Sequence, residues 1–407
     1  MATTATEFDR RQQRGSGNVY ALAVIVGVAY LFYNVMPLYL KSVGDDRHLT
    51  EQQIGYLASI YLIGSVLSNA LALLWVRRWN WRITVAVSGA IAGGGYLLSA
   101  NAGYPALLAL MFIVGAANAA TVSCIYTFIG DSEQRERGFG YTVGVQNALA
   151  GVFSFLLPLL VIPQWGFAGV ATATAACFLL TLPLIRQLPA AGSSANRAAM
   201  HATAATVPTT APPPSRALLW AFVATFIYYV GQSGIWAFFG RIGGDGGLSD
   251  QALGLVFGVT LLTGSVGGFL SGWCARLGDR RWLLAIGILI GMLALLPLMF
   301  ASGTGLLSFT LSVFLFCVSW NFLSPLFMTI MTEHDAEGRY TALIPACQLL
   351  GSVIGPALAG NMVQHGDYRS VYWFALASVL VCLAIFIAIE NHGQRRIKAQ
   401  TLETVNC

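Results

Sequence analysis

The segment LTEQQIGYL at residues 49–57 recurs 199 residues later as LSDQALGLV at residues 248–256. Each copy has a small hydroxyl residue, Thr50 or Ser249, followed by an acid, a Gln and then a Gly. A Thr or Ser side chain can accept hydrogen bonds from free backbone N–H groups at a helix start, and the acid complements the positive end of the helix dipole. Both copies therefore predict the first turn of a helix.

The composition indicates what kind of helix this is. Of the 407 residues, 56% are hydrophobic and only 10% are charged, and the mean hydropathy is +0.68. Soluble domains carry about 25% charged residues. Apolar runs of roughly 20 residues, long enough to cross a hydrocarbon core of about 30 Å, recur along the chain. The sequence therefore predicts an all-α, multi-pass membrane protein.

Twelve transmembrane helices are predicted, six in each half of the chain. Those of the first half lie at residues 18–40, 52–75, 83–100, 106–129, 139–162 and 167–186. Those of the second half lie at residues 217–239, 250–274, 282–300, 305–330, 340–362 and 370–390. The segment between them is rich in Ala, Ser, Thr and Pro. We therefore expect a bundle over 1–186, a flexible cytoplasmic linker over 187–215, and a second bundle over 216–407.

The two halves share residues at one constant offset. The matching pairs are Tyr30 with Tyr229, Gly55 with Gly254, Arg77 with Arg276, Arg82 with Arg281, and Tyr141-Thr142 with Tyr340-Thr341. The matches fall at loops, helix starts and polar positions, where composition alone does not explain them. They predict two pseudo-symmetric six-helix bundles related by an axis along the membrane normal.

The distribution of basic residues predicts the orientation. With a cytoplasmic N-terminus, 18 of the 22 Lys and Arg lie inside, and only Lys41, Arg47, Arg241 and Arg369 lie outside. The positive-inside rule then places both termini in the cytoplasm, in a plasma membrane of the bacterial inner-membrane type. This bias accounts for the net charge of +5, so no nucleic-acid partner is expected. The seven cysteines form no C-x-x-C pair, so neither a metal nor a cofactor is expected.

Two basic loops carry a resemblance to a known family. GWCARLGDRR at residues 272–281 resembles a loop motif of glycine and arginine, with Ala275 where the motif has Asp; its matching residues are Arg276, Gly278, Arg280 and Arg281. LLWVRRWNWR at residues 73–82 keeps only the basic residues of that motif, Arg77, Arg78 and Arg82. The chain has these two loops, twelve predicted spans and a central linker. In these features it resembles the major facilitator superfamily of secondary transporters over essentially its whole length.

The resemblance implies a V-shaped pair of bundles around a central cavity that opens alternately to each side. Spans one, four, seven and ten would line the cavity, and the substrate would bind near the midplane. The implied partners are a small-molecule substrate and the lipid bilayer, and the protein would act as a monomer. No nucleophile, base and orienting group occur together in the sequence, so we do not expect an enzyme.

Charge is predicted to be absent from the middle of every span. By the boundaries above, all acidic, basic and His residues lie in loops, tails or last helical turns. A charge within a span costs about 2.5–3.5 kcal/mol and normally marks a proton relay or the counter-ion of a charged substrate. Organic anions and cations therefore fit poorly, and a neutral, hydrogen-bonding aromatic solute fits better.

Neutral polar and aromatic residues of the cavity-facing and flanking spans are the predicted substrate-binding residues. They are Tyr30, Tyr33, Asn34, Asn118, Gln146, Asn147, Tyr229, Gln232, Trp236, Trp320, Asn321 and Gln348. Amides both donate and accept hydrogen bonds and aromatic rings stack, which suits a planar heterocycle. The alternative is that the amides only bond neighbouring helices and that the rings mark the membrane interface.

A cytoplasmic gate is implied by the resemblance, since basic loop residues of the family pair with acids at the ends of spans four and ten. Arg77, Arg78 and Arg82 would meet Asp131 or Glu133, and Arg276, Arg280 and Arg281 would meet Glu333 or Asp335. The alternative is a set of solvated charges that only fix the topology, worth about 0–1 kcal/mol per pair.

The functional hypothesis is a transporter of a small neutral or weakly polar aromatic solute, such as a vitamin-like heterocycle or a phenolic. It would import this solute by rocker-switch alternating access, and a co-transported proton is left open. One alternative is a proton-coupled exporter of drugs or metabolites that uses a peripheral carboxylate such as Asp131. The other is a sensor or scaffold that has kept the fold.

Overall fold

The computed structural model describes residues 20–130, 135–188, 215–264, 266–274, 280–300, 305–334, 344–363 and 367–405. This part of the chain is helical and contains no β-strand. Eight of its helical stretches are long and apolar enough to cross a membrane, and Tyr20–Ala29 is a shorter apolar helix. The prediction of an all-helical membrane protein is confirmed. Most of the predicted linker lies outside the described residues.

The chain forms two compact units. The first comprises residues 1–48 and 60–211, and the second comprises 49–59 and 212–407. The helices of the first half of the chain are α1 (Tyr20–Ala29), α2 (Leu31–Asn34), α3 (Met36–Arg47), α4 (Glu51–Trp75), α5 (Trp81–Ser99), α6 (Tyr104–Gly130), α7 (Arg135–Leu156) and α8 (Ile162–Thr181). The helix α4 is divided between the two units after Ser59.

The helices of the second half belong to the second unit. They are α9 (Arg216–Asp245), α10 (Asp250–Gly264), α11 (Val266–Cys274), α12 (Arg280–Phe300), α13 (Leu306–Glu333), α14 (Ile344–Met362) and α15 (Arg369–Val405).

The repeated segment forms the two helix starts that the sequence predicts. The backbone N–H of Gln53 donates to Thr50 Oγ1 over 3.3 Å, and the Gln53 side chain accepts from the Thr50 N–H over 3.0 Å. These two bonds form a reciprocal capping box at the start of α4. At the start of α10, the N–H of Ala252 donates to Ser249 Oγ over 3.3 Å. The predicted N-cap roles of both residues are confirmed.

The helices of the first unit are interrupted where the backbone departs from α-helical geometry. The first predicted span contains α1, α2 and α3, and backbone bonds such as Asn34 N to Tyr30 O (3.1 Å) continue across the junctions. A π-helical turn at Leu157–Val161 precedes α8. Gly166 then leaves helical geometry with φ 51° and ψ −142°, a conformation that glycine adopts without a Cβ penalty. This break lies between the predicted fifth and sixth spans.

A close crossing of α4 and α6 organises the first unit. A Cβ at Gly115 would lie 2.0 Å from the carbonyl oxygen of Tyr61, and one at Gly64 would lie 2.1 Å from that of Phe112. Only glycine permits this separation, and Ser65 Oγ bridges the same crossing by donating to Gly115 O over 3.0 Å. Small residues therefore bring the two backbones into contact.

The second unit is organised in the same way around α9, which packs against α14 and α15. A Cβ at Gly355 would lie 2.2 Å from the carbonyl oxygen of Val230. Residues 49–59 join this packing, because the N–H of Ala357 donates to Ser59 Oγ over 3.0 Å.

Three helices are longer than their apolar runs, and of these α15 continues to Val405 rather than ending near residue 390. The helix α3 continues to Arg47 rather than ending near residue 40, and α9 continues to Asp245 rather than ending near residue 239. Lys41 and Arg241 thus lie more than a turn inside helices, so the prediction that every charge lies in a loop, a tail or a last turn is wrong for them. Hydropathy detects apolar side chains, whereas a helix continues wherever its charged side chains find partners.

Candidate functional site

Four predicted residues of the first unit lie near one further aromatic residue, Tyr126, around α1 and α2. The rings of Tyr30 and Tyr33 have centroids 6.4 Å apart, and the Tyr30 ring lies 6.4 Å from that of Tyr126 on α6. Asn34, one turn after Tyr30, is only 9% exposed. A Cβ at Gly27, one turn before Tyr30, would lie 3.3 Å from the Gln146 Cα, so α7 also contacts this region. We call Tyr30, Tyr33, Asn34, Tyr126 and Gln146 the N-half cluster.

The second unit contains a corresponding group on α9, α13 and α14. The centroid of the Tyr229 ring lies 5.1 Å from that of Trp320, and its hydroxyl lies 2.9 Å from Ser324 Oγ. The Trp236 ring stacks on Phe316 with an interplanar angle of 4° and a centroid distance of 6.0 Å. These rings form a continuous aromatic wall, because the Phe316 and Trp320 centroids lie 5.8 Å apart.

Two amides accompany this wall. Gln232 lies one turn along α9 between Tyr229 and Trp236, and its side chain is only 4% exposed. Gln348 lies on α14 one turn before Gly351, where a Cβ would lie 2.8 Å from that of Tyr229. We call Tyr229, Gln232, Trp236, Trp320 and Gln348 the C-half cluster.

Each of the four amides in the two clusters has a buried atom without a hydrogen-bond partner among the described residues. These atoms are Asn34 Nδ2, Gln146 Oε1, Gln232 Nε2 and Gln348 Nε2. A buried polar group left without a partner costs about 1–3 kcal/mol, so such groups normally bond a ligand or water. The four amides therefore retain donor and acceptor capacity, and neither cluster contains a charged residue.

Other predicted site residues bond elsewhere. Asn118 is buried and donates from Nδ2 to the hydroxyl of Tyr61 over 3.0 Å and to that of Tyr96 over 3.4 Å, while its Oδ1 has no hydrogen-bond partner among the described residues. Asn321 donates to the carbonyl of Cys317 in its own helix over 2.8 Å. Asn147 is partly buried beside Gln146. Sequence reasoning missed Tyr126, although it lies in a span that the family resemblance places at the cavity.

A charged cluster of the second unit was also missed. Arg241 on α9 donates through Nε to Glu51 Oε1 over 3.0 Å, and the two side chains are 16% and 14% exposed. The hydroxyl of Tyr368 donates to Asp245 Oδ2 over 2.9 Å. Burial, together with the carboxylates of Glu51 and Asp245, raises the pKa of Tyr368 above its ordinary value, so the hydroxyl stays protonated and remains a donor.

The signal for this cluster was present in the sequence. Glu51 opens the second span and Arg241 follows the seventh, and both were predicted on the outer side of the membrane. Their pairing joins positions far apart in the chain, which helix periodicity does not address.

The predicted cytoplasmic gate is only partly described. Asp131, Glu133, Arg276 and Asp335 lie outside the described residues, and of Arg280 only the backbone is described. Arg82 donates from Nε to the carbonyl of Leu188, and Arg281 donates to Asn391 Oδ1 over 2.9 Å. Arg77 and Arg78 follow α4, and Glu333 is the last residue of α13. The proposed pairing of these arginines with acids therefore stays a prediction.

Comparison with known proteins identifies the family. The family model described as Major Facilitator Superfamily matches residues 22–335 and 221–405. No curated protein sequence matches the chain. The solved nucleoside transporter NupG is similar with a TM-score of 0.70 at 14% identity, over 91% of this chain and 98% of that chain.

Two further solved structures have the same fold. A bacterial homologue of the human lysosomal transporter Spinster, inward-facing and unoccupied, gives a TM-score of 0.69 at 15% identity, over 93% of this chain and 97% of that chain. The peptide transporter POT in complex with sulfate gives a TM-score of 0.68 at 14% identity, over 92% of this chain and 95% of that chain. The family match extends over most of the chain and the fold agrees with it, so this chain belongs to the Major Facilitator Superfamily and is a multi-pass membrane transporter, not an enzyme.

Proposed function

We propose that this transporter moves a small neutral or weakly polar aromatic solute, such as a vitamin-like heterocycle or a phenolic. The observation that carries the proposal is the presence of unpartnered amide atoms beside aromatic rings in both clusters. In the N-half cluster one of these atoms is a donor, Asn34 Nδ2, and one is an acceptor, Gln146 Oε1, which matches a solute with both kinds of group. The rings add stacking surfaces, which favour a planar solute.

The absence of charge from the two clusters argues against ionic substrates. A carboxylate or phosphate brought into either cluster would lose its hydration and find neutral amides in place of an arginine. An organic cation would likewise find no carboxylate there. We therefore propose that the solute is uncharged when it is bound.

We propose import by rocker-switch alternating access. Both termini would be cytoplasmic, because the positive-inside rule favours this orientation. We further propose that the protein acts as a monomer in a bacterial inner membrane.

The site is tested by replacing the amides with a side chain of similar size that cannot hydrogen-bond. Gln232→Leu and Asn34→Leu should each weaken solute binding by roughly 5-fold to 150-fold, the equivalent of about 1–3 kcal/mol, because a polar group of the solute would lose its partner. The readout is the concentration dependence of uptake into proteoliposomes, measured with neutral heterocycles that include nucleosides.

Gln164→Leu is the matched control, because Gln164 is an exposed glutamine of α8 outside both clusters. It should leave uptake unchanged. Wild-type affinity and rate in both Gln232→Leu and Asn34→Leu would mean that these amides do not line the site.

One observation favours the alternative of proton coupling. Glu51 Oε2 is buried without a hydrogen-bond partner among the described residues, although Oε1 is paired with Arg241, and Asp245 and Tyr368 lie nearby. This oxygen therefore keeps unused acceptor capacity beside the ion pair. Proton coupling through Glu51 requires that a pH gradient drive uptake or efflux in wild-type proteoliposomes and fail to do so in Glu51→Gln. Equal flux with and without the gradient would exclude it.

A further inference from the structure

We propose that a groove on the first unit binds an anionic phospholipid, with an acyl chain in the groove and the lipid phosphate at its arginine-bearing end. The groove encloses about 400 Å³ and lies between the end of α4, α5 and α6. None of the residues that line it belongs to the N-half cluster. The site is thus distinct from the proposed solute site.

The groove exists because large and small residues face each other. The α5 wall consists of Ile83, Val87 and Ile91, which follow one another at single helical turns and are 61%, 52% and 44% exposed. At 1.5 Å per residue this wall is about 12 Å long. The α6 side contributes small residues, Ala116 and Ala120 among them, that leave the space open.

The lining favours a hydrocarbon over a polar ligand. Its only two hydroxyl groups belong to Thr84 and Ser88, and both are already bonded. Thr84 Oγ1 donates to the carbonyl of Asn80 over 3.0 Å, and Ser88 Oγ lies 2.7 Å from Thr121 Oγ1. An acyl chain therefore loses no hydrogen bond when it occupies the groove, whereas a polar solute would.

One end of the groove has the features of a lipid-headgroup site. Trp75 and Trp79 line that end with ring centroids 5.3 Å apart, and Trp79 is 58% exposed. Tryptophan indoles of this kind lie at the level of lipid headgroups. Arg78 and Arg82 are exposed beside them, and the bond from Arg82 Nε to Leu188 O holds that guanidinium in place.

Charge complementarity determines which lipid fits. Basic residues at a headgroup site between transmembrane helices favour anionic lipids over zwitterionic ones. Arginine also forms bidentate hydrogen bonds with phosphate oxygens. A phospholipid with a net negative charge, such as phosphatidylglycerol, therefore matches both the apolar groove and its basic end.

The test measures lipid binding to the purified full-length protein in detergent by native mass spectrometry. The probes are phosphatidylglycerol, phosphatidylcholine with the same acyl chains, and glycerol 3-phosphate. We expect the wild type to bind phosphatidylglycerol roughly tenfold more tightly than phosphatidylcholine and to bind glycerol 3-phosphate without detectable affinity. Arg78→Glu should remove the preference, and Ala120→Phe should weaken both lipids by filling the groove.

Arg216→Glu is the matched control. Arg216 is also an exposed arginine near an exposed tryptophan, Trp220, but it belongs to α9 of the second unit and is not among the residues that line the groove. The Arg216→Glu variant should bind phosphatidylglycerol as tightly as the wild type does. The proposal is overturned if Arg78→Glu keeps the preference, if Arg216→Glu loses it equally, or if glycerol 3-phosphate binds as tightly as the lipid. The comparison of the two charge reversals decides the matter even if Ala120→Phe does not fold.

Discussion

Replacing Arg241 with alanine is expected to lower the free energy of unfolding of the purified protein by about 3 kcal/mol, which is in the range known for breaking a buried ion pair. The substitution leaves the Glu51 carboxylate in a site where it is only 14% exposed, without the guanidinium that now donates to it. The cost arises from the uncompensated buried charge, since removal of both partners of such a pair is often nearly neutral. The measurement is the midpoint of thermal unfolding in detergent.

A double substitution separates this cause from a loss of packing. Glu51→Gln combined with Arg241→Ala should recover much of the stability, because no buried charge remains. Lys41→Ala is the control variant, because it breaks an ion pair that is more exposed. Lys41 bonds Asp45 over 2.7 Å on α3, and the Asp45 side chain is 47% exposed. This substitution should cost about 1 kcal/mol or less. Equal losses in Arg241→Ala and in the double variant would assign the effect to packing alone.

The second large effect is expected at the crossing of α4 and α6. Gly115→Ala should destabilise the first unit by roughly 1–3 kcal/mol or more, because its Cβ would lie 2.0 Å from the Tyr61 carbonyl oxygen and the helices would have to separate. Backbone atoms cannot move aside as a flexible side chain can. Gel filtration and thermal unfolding in detergent would measure the loss.

At a glycine with free space around it, an alanine substitution is expected to raise the stability instead of lowering it. A Cβ at Gly94 of α5 would meet nothing within 4 Å, and the position is exposed. Gly94→Ala should therefore raise stability by up to about 1 kcal/mol, since alanine is the better helix former. If Gly115→Ala and Gly94→Ala change the stability by the same amount, the close approach of α4 and α6 does not contribute to stability as described.

Much of the fold could be predicted because local rules determine it. Thr50 and Ser249 start helices through bonds to residues only three positions away, and apolar runs locate the helices that follow. Helix ends were less predictable. The run of apolar residues stops before Lys41, but α3 continues because Lys41 finds a partner one turn later.

The candidate site was predictable in its residue types and less so in its contacts. Asn34, Gln146, Gln232 and Gln348 were chosen as neutral polar residues, and each has an unpartnered buried atom. Asn118 and Asn321 are of the same type, yet the Asn118 Nδ2 bonds two tyrosines from α4 and α5 and leaves only Oδ1 unpartnered, and Asn321 bonds its own helix. Sequence does not distinguish these cases, because the partner depends on how helices are rotated against one another.

We propose that the binding site takes a neutral aromatic solute through these amides. This proposal is tested most directly by the thermal stability of the purified protein with neutral aromatic heterocycles, organic anions and lipophilic cations at fixed ionic strength. A solute present at 100 times its dissociation constant stabilises the folded state by about 2.7 kcal/mol. We predict that neutral aromatic compounds alone raise the unfolding midpoint and that Gln232→Leu reduces the rise. Stabilisation mainly by anions or cations, or a full response in Gln232→Leu, would contradict the account.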